Sequence, residues 1–278
     1  MQLGIRLHDT AKCPFEERIA DVHRMGFACG QLALSKLIDE FPTTDETLTP
    51  GLAMYIKNVF ARNQVDIAVL GCYLNLANPD KGQLAETIRH YLAHIRFASW
   101  LGCGMVGTET GTPNESYSYT PECHTEAALL TFMENLRPVV AYAEKMGVVI
   151  GIEPVCRHIV GTPKRARRVL DEIASPNLQI IFDPVNLLDA GNYREKDSVI
   201  EEAIELLGPD VAAIHLKDCV MRDGELIFTG CGQGEMDYKP ILRFVKEHKP
   251  FIHVLLEETR PENSQRARHY MARMYGEA

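Results

Sequence analysis

Polar residues stand at the ends of four apolar segments in the second half of the chain. Glu153 ends VVIGIE, Asp183 ends LQIIFD, His215 lies in VAAIHL, and Glu257 and Glu258 end FIHVLLEE. Three carboxylates and one imidazole form a ligand set suited to a divalent metal. Because the set is oxygen-rich with one histidine, it favours Mn²⁺, with Mg²⁺, Co²⁺ and Zn²⁺ as competitors. A dication would offset both the burial and the mutual repulsion of these carboxylates, so they are candidate metal ligands.

Eight apolar segments recur at regular intervals and predict eight β-strands. They are apolar through their length, which is typical of strands covered on both faces in a parallel sheet. The predicted strands are residues 3–8, 29–34, 66–74, 103–109, 148–153, 178–183, 211–216 and 251–258. Helical spacing, with several proline starts and glycine stops, predicts helices over residues 14–25, 50–63, 82–101, 124–146, 163–174, 197–207, 238–247 and 262–275.

Eight strand–helix units in 278 residues indicate an α/β protein with a single (β/α)8 barrel. A doubly wound open sheet is the alternative, and its dinucleotide-binding form is disfavoured because no GxGxxG motif follows the first strand. No linker rich in Pro, Gly or Ser divides the chain, so we expect one domain over residues 1–278. The carboxyl ends of barrel strands meet at one face, where the candidate ligands would converge.

Composition narrows the partners and the compartment. The formal net charge of -9 argues against nucleic acid or an anionic membrane surface as the main partner. No apolar run approaches the length of a membrane-spanning helix, and the first residues lack the pattern of a signal peptide. Eight scattered cysteines without a CxxC pair favour reduced thiols. We therefore expect a cytoplasmic protein that acts on neither nucleic acid nor membrane.

Further polar residues close to the predicted strand ends are candidate substrate contacts: His8, Tyr73, Glu109, Arg157, His158, Asn186 and Lys217. Arg157, His158 and Lys217 could bind hydroxyls, a carboxylate or a phosphate. Two simpler interpretations remain open, namely that Lys217 pairs with Asp218 and that Arg157 lies on the rim. Six histidines in predicted helices are assigned to the surface: His23, His90, His94, His124, His248 and His269.

Five segments resemble the sugar phosphate isomerase/epimerase family of the xylose isomerase-like TIM barrel superfamily: IEP (152–154), FDPVN (182–186), IHLKD (214–218), GCGQGEMDY (230–238) and LLEET (255–259). The resemblance covers most of the chain in order and is most specific from 148 to 258. It implies that the metal ligands are Glu153, Asp183, His215 and Glu257. It is also the reason for preferring Glu257 to Glu258, because strand parity does not decide between them. Barrels of this family often form dimers or tetramers, so the protein is a candidate homo-oligomer.

The resemblance implies an isomerase or epimerase that removes a proton next to the carbonyl of a small keto-sugar or related polyol. In ketose 3-epimerase relatives the two glutamates also move the proton, which implies catalytic roles for Glu153 and Glu257. The divalent metal would stabilise the enediolate. Many relatives have a histidine where this chain has Asn186, and asparagine is neither an acid nor a base near neutral pH. This departure weakens a direct assignment as a ketose 3-epimerase.

Two alternatives remain open at this stage. The same enediolate can expel a β-hydroxyl or a glycosyl group, which would make the protein a metal-dependent dehydratase or lyase on a keto-inositol or a 3-keto-glycoside. The second alternative is a non-catalytic barrel that keeps a metal site. The presence of both Glu153 and Glu257 favours an enzyme over the second alternative.

Overall fold

Ten strands form, and eight of them close a parallel barrel. The computed structural model describes all 278 residues. In chain order the strands are β1 (Gln2–Arg6), β2 (Cys29–Leu32), β3 (Asp66–Gly71), β4 (Met105–Glu109), β5 (Val149–Glu153), β6 (Leu178–Phe182), β7 (Val211–Leu216), β8 (Asp218–Arg222), β9 (Glu225–Thr229) and β10 (His253–Leu256). The barrel order is β1-β10-β7-β6-β5-β4-β3-β2, and β8 and β9 form a separate antiparallel hairpin. The predicted (β/α)8 barrel is confirmed.

Nine helices connect the strands: α1 (Phe15–Arg24), α2 (Leu34–Leu37), α3 (Pro50–Arg62), α4 (Lys81–Leu101), α5 (Glu126–Met146), α6 (Pro163–Ile173), α7 (Lys196–Leu207), α8 (Lys239–His248) and α9 (Ser264–Glu277). Their ends follow from local chemistry. The Thr162 side chain accepts a hydrogen bond from the N–H of Arg165, with Pro163 at the first helical position. Gly102 and Gly147 end α4 and α5 in the left-handed conformation, at φ 78° and 66°, as the glycine stops predicted.

The interior of the barrel is filled from the strands themselves. Seven buried residues form this inner cluster: Cys29, Ala68, Val69, Met105, Ile181, Ala213 and Leu255. A Cβ added to Gly151 would lie 2.8 Å from Met105 Sδ and 2.9 Å from Ile181 Cγ1, so the packing there requires glycine. Since strand side chains alternate between faces, residues two positions further along each strand also point inward. The inner cluster therefore lies below the inward-facing polar residues at the carboxyl ends of the strands.

The main differences from the predicted elements lie in the connections. β1 ends at Arg6, so that His8 falls in a 3-10 turn (Leu7–Asp9), and β2 gives way to the short helix α2. The hairpin of β8 and β9 was not predicted, because its strands are short and partly exposed. Its turn, Asp223 and Gly224 with φ 51° and 83°, is the Asp-Gly signal of a two-residue hairpin. No helix has the length and apolar character needed to cross a membrane, and all eight cysteines are free thiols.

Candidate metal centre and cavity

The four predicted ligands lie together at the carboxyl end of the barrel. Glu153 is the last residue of β5, Asp183 and Glu257 follow β6 and β10 directly, and His215 lies near the end of β7. Each of the four is at most 5% exposed. One ligand atom from each lies within 4.8 Å of the others. Four neighbouring strands thus bring together residues that are spread over about 100 positions of the chain, from Glu153 to Glu257.

His215 lies between two carboxylates. Its Nδ1 is 2.9 Å from Glu257 Oε1 and 3.3 Å from Glu153 Oε1. Burial lowers the pKa of His215, but these carboxylates outweigh burial and raise that pKa to about 10. Neither ring nitrogen makes a hydrogen bond, although the side chain is fully buried. A divalent metal takes a ring nitrogen and carboxylate oxygens as ligands, so the residues present fit such an ion.

Lys217 is a second cation in the cluster. Its Nζ donates to Asp183 Oδ2 at 2.7 Å, to Asn186 Oδ1 at 2.7 Å and to Glu257 Oε2 at 3.1 Å. Burial lowers the pKa of Lys217, but the carboxylates outweigh burial and raise it. In return, Lys217 and His215 hold the pKa of Glu257 well below its usual range against the opposing effect of burial. Lys217 therefore offsets the repulsion among the carboxylates.

Asp218 does not pair with Lys217, contrary to the simpler interpretation of that lysine. Its carboxylate instead organises the glycine-rich loop of residues 230–238. Its Oδ1 accepts a hydrogen bond from the N–H of Met236, and its Oδ2 accepts one from the N–H of Gly232. A Cβ at Gly234 would overlap the Asp218 carboxylate. The Tyr238 hydroxyl donates to the carbonyl of Lys217 at 3.0 Å. The GCGQGEMDY segment thus fixes the backbone that carries Lys217.

Glu153 is held from two further sides. Asn186 Nδ2 donates to Glu153 Oε1 at 2.7 Å, and the Tyr73 hydroxyl donates to Oε2 at 3.4 Å. Gln31 Nε2 donates to the Tyr73 hydroxyl at 3.1 Å. Asn186 bridges Glu153 to Lys217 because its Oδ1 accepts from that ammonium. An amide at this position links the two parts of the cluster without adding charge.

A cavity of about 680 Å³ opens above the cluster, a size typical of small-molecule sites. Its lining is mostly polar and includes eight predicted site residues: His8, Tyr73, Glu109, Glu153, His158, Asn186, Lys217 and Glu257. Asp183 and His215 are fully buried below it. Phe228, from the β8–β9 hairpin, also lines the cavity. Its ring lies 5.2 Å from the Lys217 ammonium, within cation–π range.

The profile of the family described as xylose isomerase-like TIM barrel matches residues 19–274. The chain belongs to this family. A probable L-ribulose-5-phosphate 3-epimerase of Mycoplasma pneumoniae is 23% identical over 142 residues, which cover 51% of this chain and 44% of that protein. Two solved structures match over 100% of this chain and 99% of their own. A D-tagatose 3-epimerase-like protein has a TM-score of 0.76 at 19% identity. The IOLI protein with a bound zinc atom has a TM-score of 0.75 at 18% identity.

One predicted substrate contact of this xylose isomerase-like barrel lies outside the cavity. Arg157 is exposed and lines a separate depression of about 350 Å³. The reason is a tight turn after β5, in which the N–H of His158 donates to the carbonyl of Val155 at 2.8 Å. This turn directs His158 to the cavity and leaves Arg157 outside. Arg157 is therefore left out of the proposed substrate site.

Two polar residues near the metal centre were not predicted. Arg6 NH1 lies 3.4 Å from Glu257 Oε1, and Gln31 holds Tyr73 as described above. Arg6 has the same parity as His8 within the first predicted strand, so period-two alternation already placed the two on one side. Reading inward-facing positions before each strand end, in addition to the last residue, would have found both Arg6 and Gln31.

Proposed function

We propose that this protein is a divalent-metal-dependent isomerase or epimerase that acts on a small keto-sugar or related polyol. The observation that carries the proposal is the pair of buried glutamates, Glu153 and Glu257, that face His215 beneath a polar cavity. A metal held by Glu153, Asp183, His215 and Glu257 would supply Lewis-acid stabilisation of the negative charge on the enolised substrate. Mn²⁺ is the ion that we expect first, with Mg²⁺, Co²⁺ and Zn²⁺ as competitors.

Glu153 and Glu257 are the proposed proton carriers. Their strands are separated by β6 and β7 in the barrel, so the two carboxylates reach the cavity from different sides. Lys217, whose Nζ lies 3.1 Å from Glu257 Oε2, favours the ionised form of Glu257, which is the form that accepts a proton. Asn186 and Tyr73 orient Glu153. One carboxylate removes the proton next to the carbonyl, and the other returns a proton to the opposite face or to the neighbouring atom.

The charges in the cavity favour an uncharged, hydroxyl-rich substrate. Arg6 and Lys217 are already paired with carboxylates. Burial lowers the pKa of His158 to about 4, so this ring is neutral near pH 7 and can exchange hydrogen bonds with hydroxyls. Lys36 also lines the cavity, but it is exposed at the rim. A phosphate deep in the cavity would therefore lack a free cation beside it.

The test is a screen of ketoses, inososes and 3-keto-glycosides with metal-stripped protein and with protein reloaded with Mn²⁺. Incorporation of solvent deuterium next to the carbonyl is followed by NMR. We expect exchange only with the reloaded protein, because the enolised substrate needs the metal. Loss of a β-substituent would assign the dehydratase or lyase alternative. Retained metal without exchange on any substrate would favour the non-catalytic barrel, and failure to bind a divalent metal would overturn the proposal.

A further inference from the structure

A second group of metal-ligating side chains lies beside the same cavity. Cys72 directly follows β3, and His90 and His94 lie one turn apart on α4. One ligand atom from each lies within 4.8 Å of the others. All three residues line the cavity. None belongs to the oxygen-rich centre, which is formed by Glu153, Asp183, His215 and Glu257. The assignment of His94 to the surface is wrong, since it is only 4% exposed.

An acceptor lies beside Nδ1 of both imidazoles, as a hydrogen-bond contact at His94 and as an ion-pair contact without hydrogen-bond geometry at His90. His94 Nδ1 lies 3.1 Å from the carbonyl oxygen of His90, and His90 Nδ1 lies 2.6 Å from Asp45 Oδ1. An acceptor at this position favours the tautomer with its proton on Nδ1 and leaves Nε2 with a free lone pair. Metal-bound histidines are commonly held this way, by a carboxylate or a backbone carbonyl at the other nitrogen. The His94 ring is thus prepared to bind through Nε2, and the Asp45 carboxylate beside Nδ1 favours the same tautomer of His90.

The Cys72 side chain packs in the hydrophobic core, but its thiol has no polar partner in the fold. It is buried and makes no hydrogen bond, whereas the sulfurs of Cys103 and Cys156 donate to backbone carbonyls at 3.2 Å and 3.1 Å. Two imidazoles and one sulfur are ligands that suit Zn²⁺ better than Mn²⁺ or Mg²⁺. A histidine pair four residues apart on one helix face is a recurring way of holding zinc.

We propose that Cys72, His90 and His94 bind a Zn²⁺ ion, with the Asp45 carboxylate beside His90 Nδ1 and a fourth ligand supplied from the adjoining cavity. The ion joins the end of β3 to α4 and, through Asp45, to the segment that precedes α3. These three segments form the wall of the cavity on the side of the first strands. The two sites differ in chemistry, because the oxygen-rich centre has no sulfur ligand.

Co²⁺ is the probe that separates the two sites. Metal-stripped protein is titrated with Co²⁺ while its visible and near-ultraviolet absorption is recorded. We expect two bound equivalents, of which one gives a thiolate-to-cobalt charge-transfer band, since only Cys72 supplies sulfur. Cys72→Ser and His90→Gln should each abolish this band and remove one equivalent. Cys103→Ser is the matched control, because it removes an equally buried thiol at the opposite end of the barrel and should keep the band.

The oxygen-rich centre is tested independently in the same titration. Asp183→Asn should remove the Co²⁺ equivalent of the oxygen-rich centre and leave the charge-transfer band. The titration therefore tests each of the two sites separately. His90 is only half-buried, so His90→Gln tests the site without a change in the core. A saturated, folded wild-type protein without the band would overturn the proposal. A band of equal strength in Cys72→Ser and His90→Gln would overturn it as well.

Discussion

The two halves of the barrel build their sides of the cavity in different ways. In the second half, β5, β6, β7 and β10 place one polar residue each at or next to a strand end, and strand register fixes the result. In the first half, His8 lies in a turn after β1, and His90 and His94 come from a helix. Register thus positions the four candidate ligands of the second half, whereas a turn and a helix position the three histidines of the first.

The charges of the two halves differ as well. The second half gathers three carboxylates, Lys217 and a histidine whose pKa is raised to about 10. In the first half, burial lowers the pKa of His8 to about 4, and Tyr73 and Gln31 supply a phenol and an amide, with Arg6 and Glu109 as the charged groups. A dense charge cluster suits proton transfer, and neutral hydrogen-bonding groups suit recognition of hydroxyls. We therefore expect changes in the second half to affect turnover most.

The largest effect is expected at the two glutamates. Glu153→Gln and Glu257→Gln each replace a proton carrier by a group that cannot accept a proton, which should lower turnover by about 10²- to 10⁴-fold. The measurement is the rate of deuterium exchange at saturating metal, with circular dichroism to verify the fold. Glu258→Gln is the matched control, since Glu258 is adjacent and exposed. Normal turnover in either buried variant would exclude the proposed proton transfer.

A large effect on stability is expected at Lys217. Lys217→Met leaves Asp183 without its buried counter-charge and removes one of those beside Glu257, and breaking a buried ion pair in this way destabilises proteins by about 3–5 kcal/mol. The free energy of unfolding of metal-stripped protein, from denaturant titration, measures the loss. Lys164→Met is the control, because the Lys164–Glu202 pair is exposed and its removal should leave stability unchanged. Equal stability of Lys217→Met and wild type would show that the ammonium does not stabilise the cluster.

The same division between the halves explains how much the sequence could predict. The barrel follows from eight continuous apolar segments, and Glu153 and Asp183 follow because they end two of these segments, whereas the choice of Glu257 over Glu258 came from the family resemblance. A residue in that position has its direction fixed by strand register and alternation. The oxygen-rich cluster could therefore be located from the sequence.

Residues on turns and helices could not be placed in this way. Arg157 and His158 are neighbours, yet one turn directs them to different sides of the loop. The partner of Lys217 depends on the loop that wraps Asp218, a contact between distant segments. The burial of His94 depends on which face of α4 packs against β4. These outcomes are set by tertiary packing, and a single sequence carries only weak signals of it.

A smaller effect is expected at Asn186, which supports Glu153 without contacting the proposed ion. Asn186→Ala removes the 2.7 Å hydrogen bond to Glu153 Oε1 and the acceptor for Lys217. Loss of such a supporting contact lowers metal affinity or activity by about 10- to 100-fold. Metal titration and deuterium exchange measure the two effects separately. Unchanged values in both would mean that the carboxylate is oriented without this amide.

The smallest effect is expected for the pair that follows β5. His158→Gln removes a neutral hydrogen-bonding ring from the cavity, which should lower kcat/KM by about fivefold, or about 1 kcal/mol. Arg157→Gln is its matched neighbour and should leave kcat/KM unchanged, because Arg157 is exposed outside the cavity.

Since burial lowers the pKa of His158 to about 4, the ring is neutral above that value. The ratio of wild-type to His158→Gln activity should therefore stay constant between about pH 5.5 and pH 8. A ratio that changes with a midpoint near pH 6.5 would show that the His158 ring is solvated and titrates normally. A lower kcat/KM in Arg157→Gln would extend the substrate site beyond the cavity.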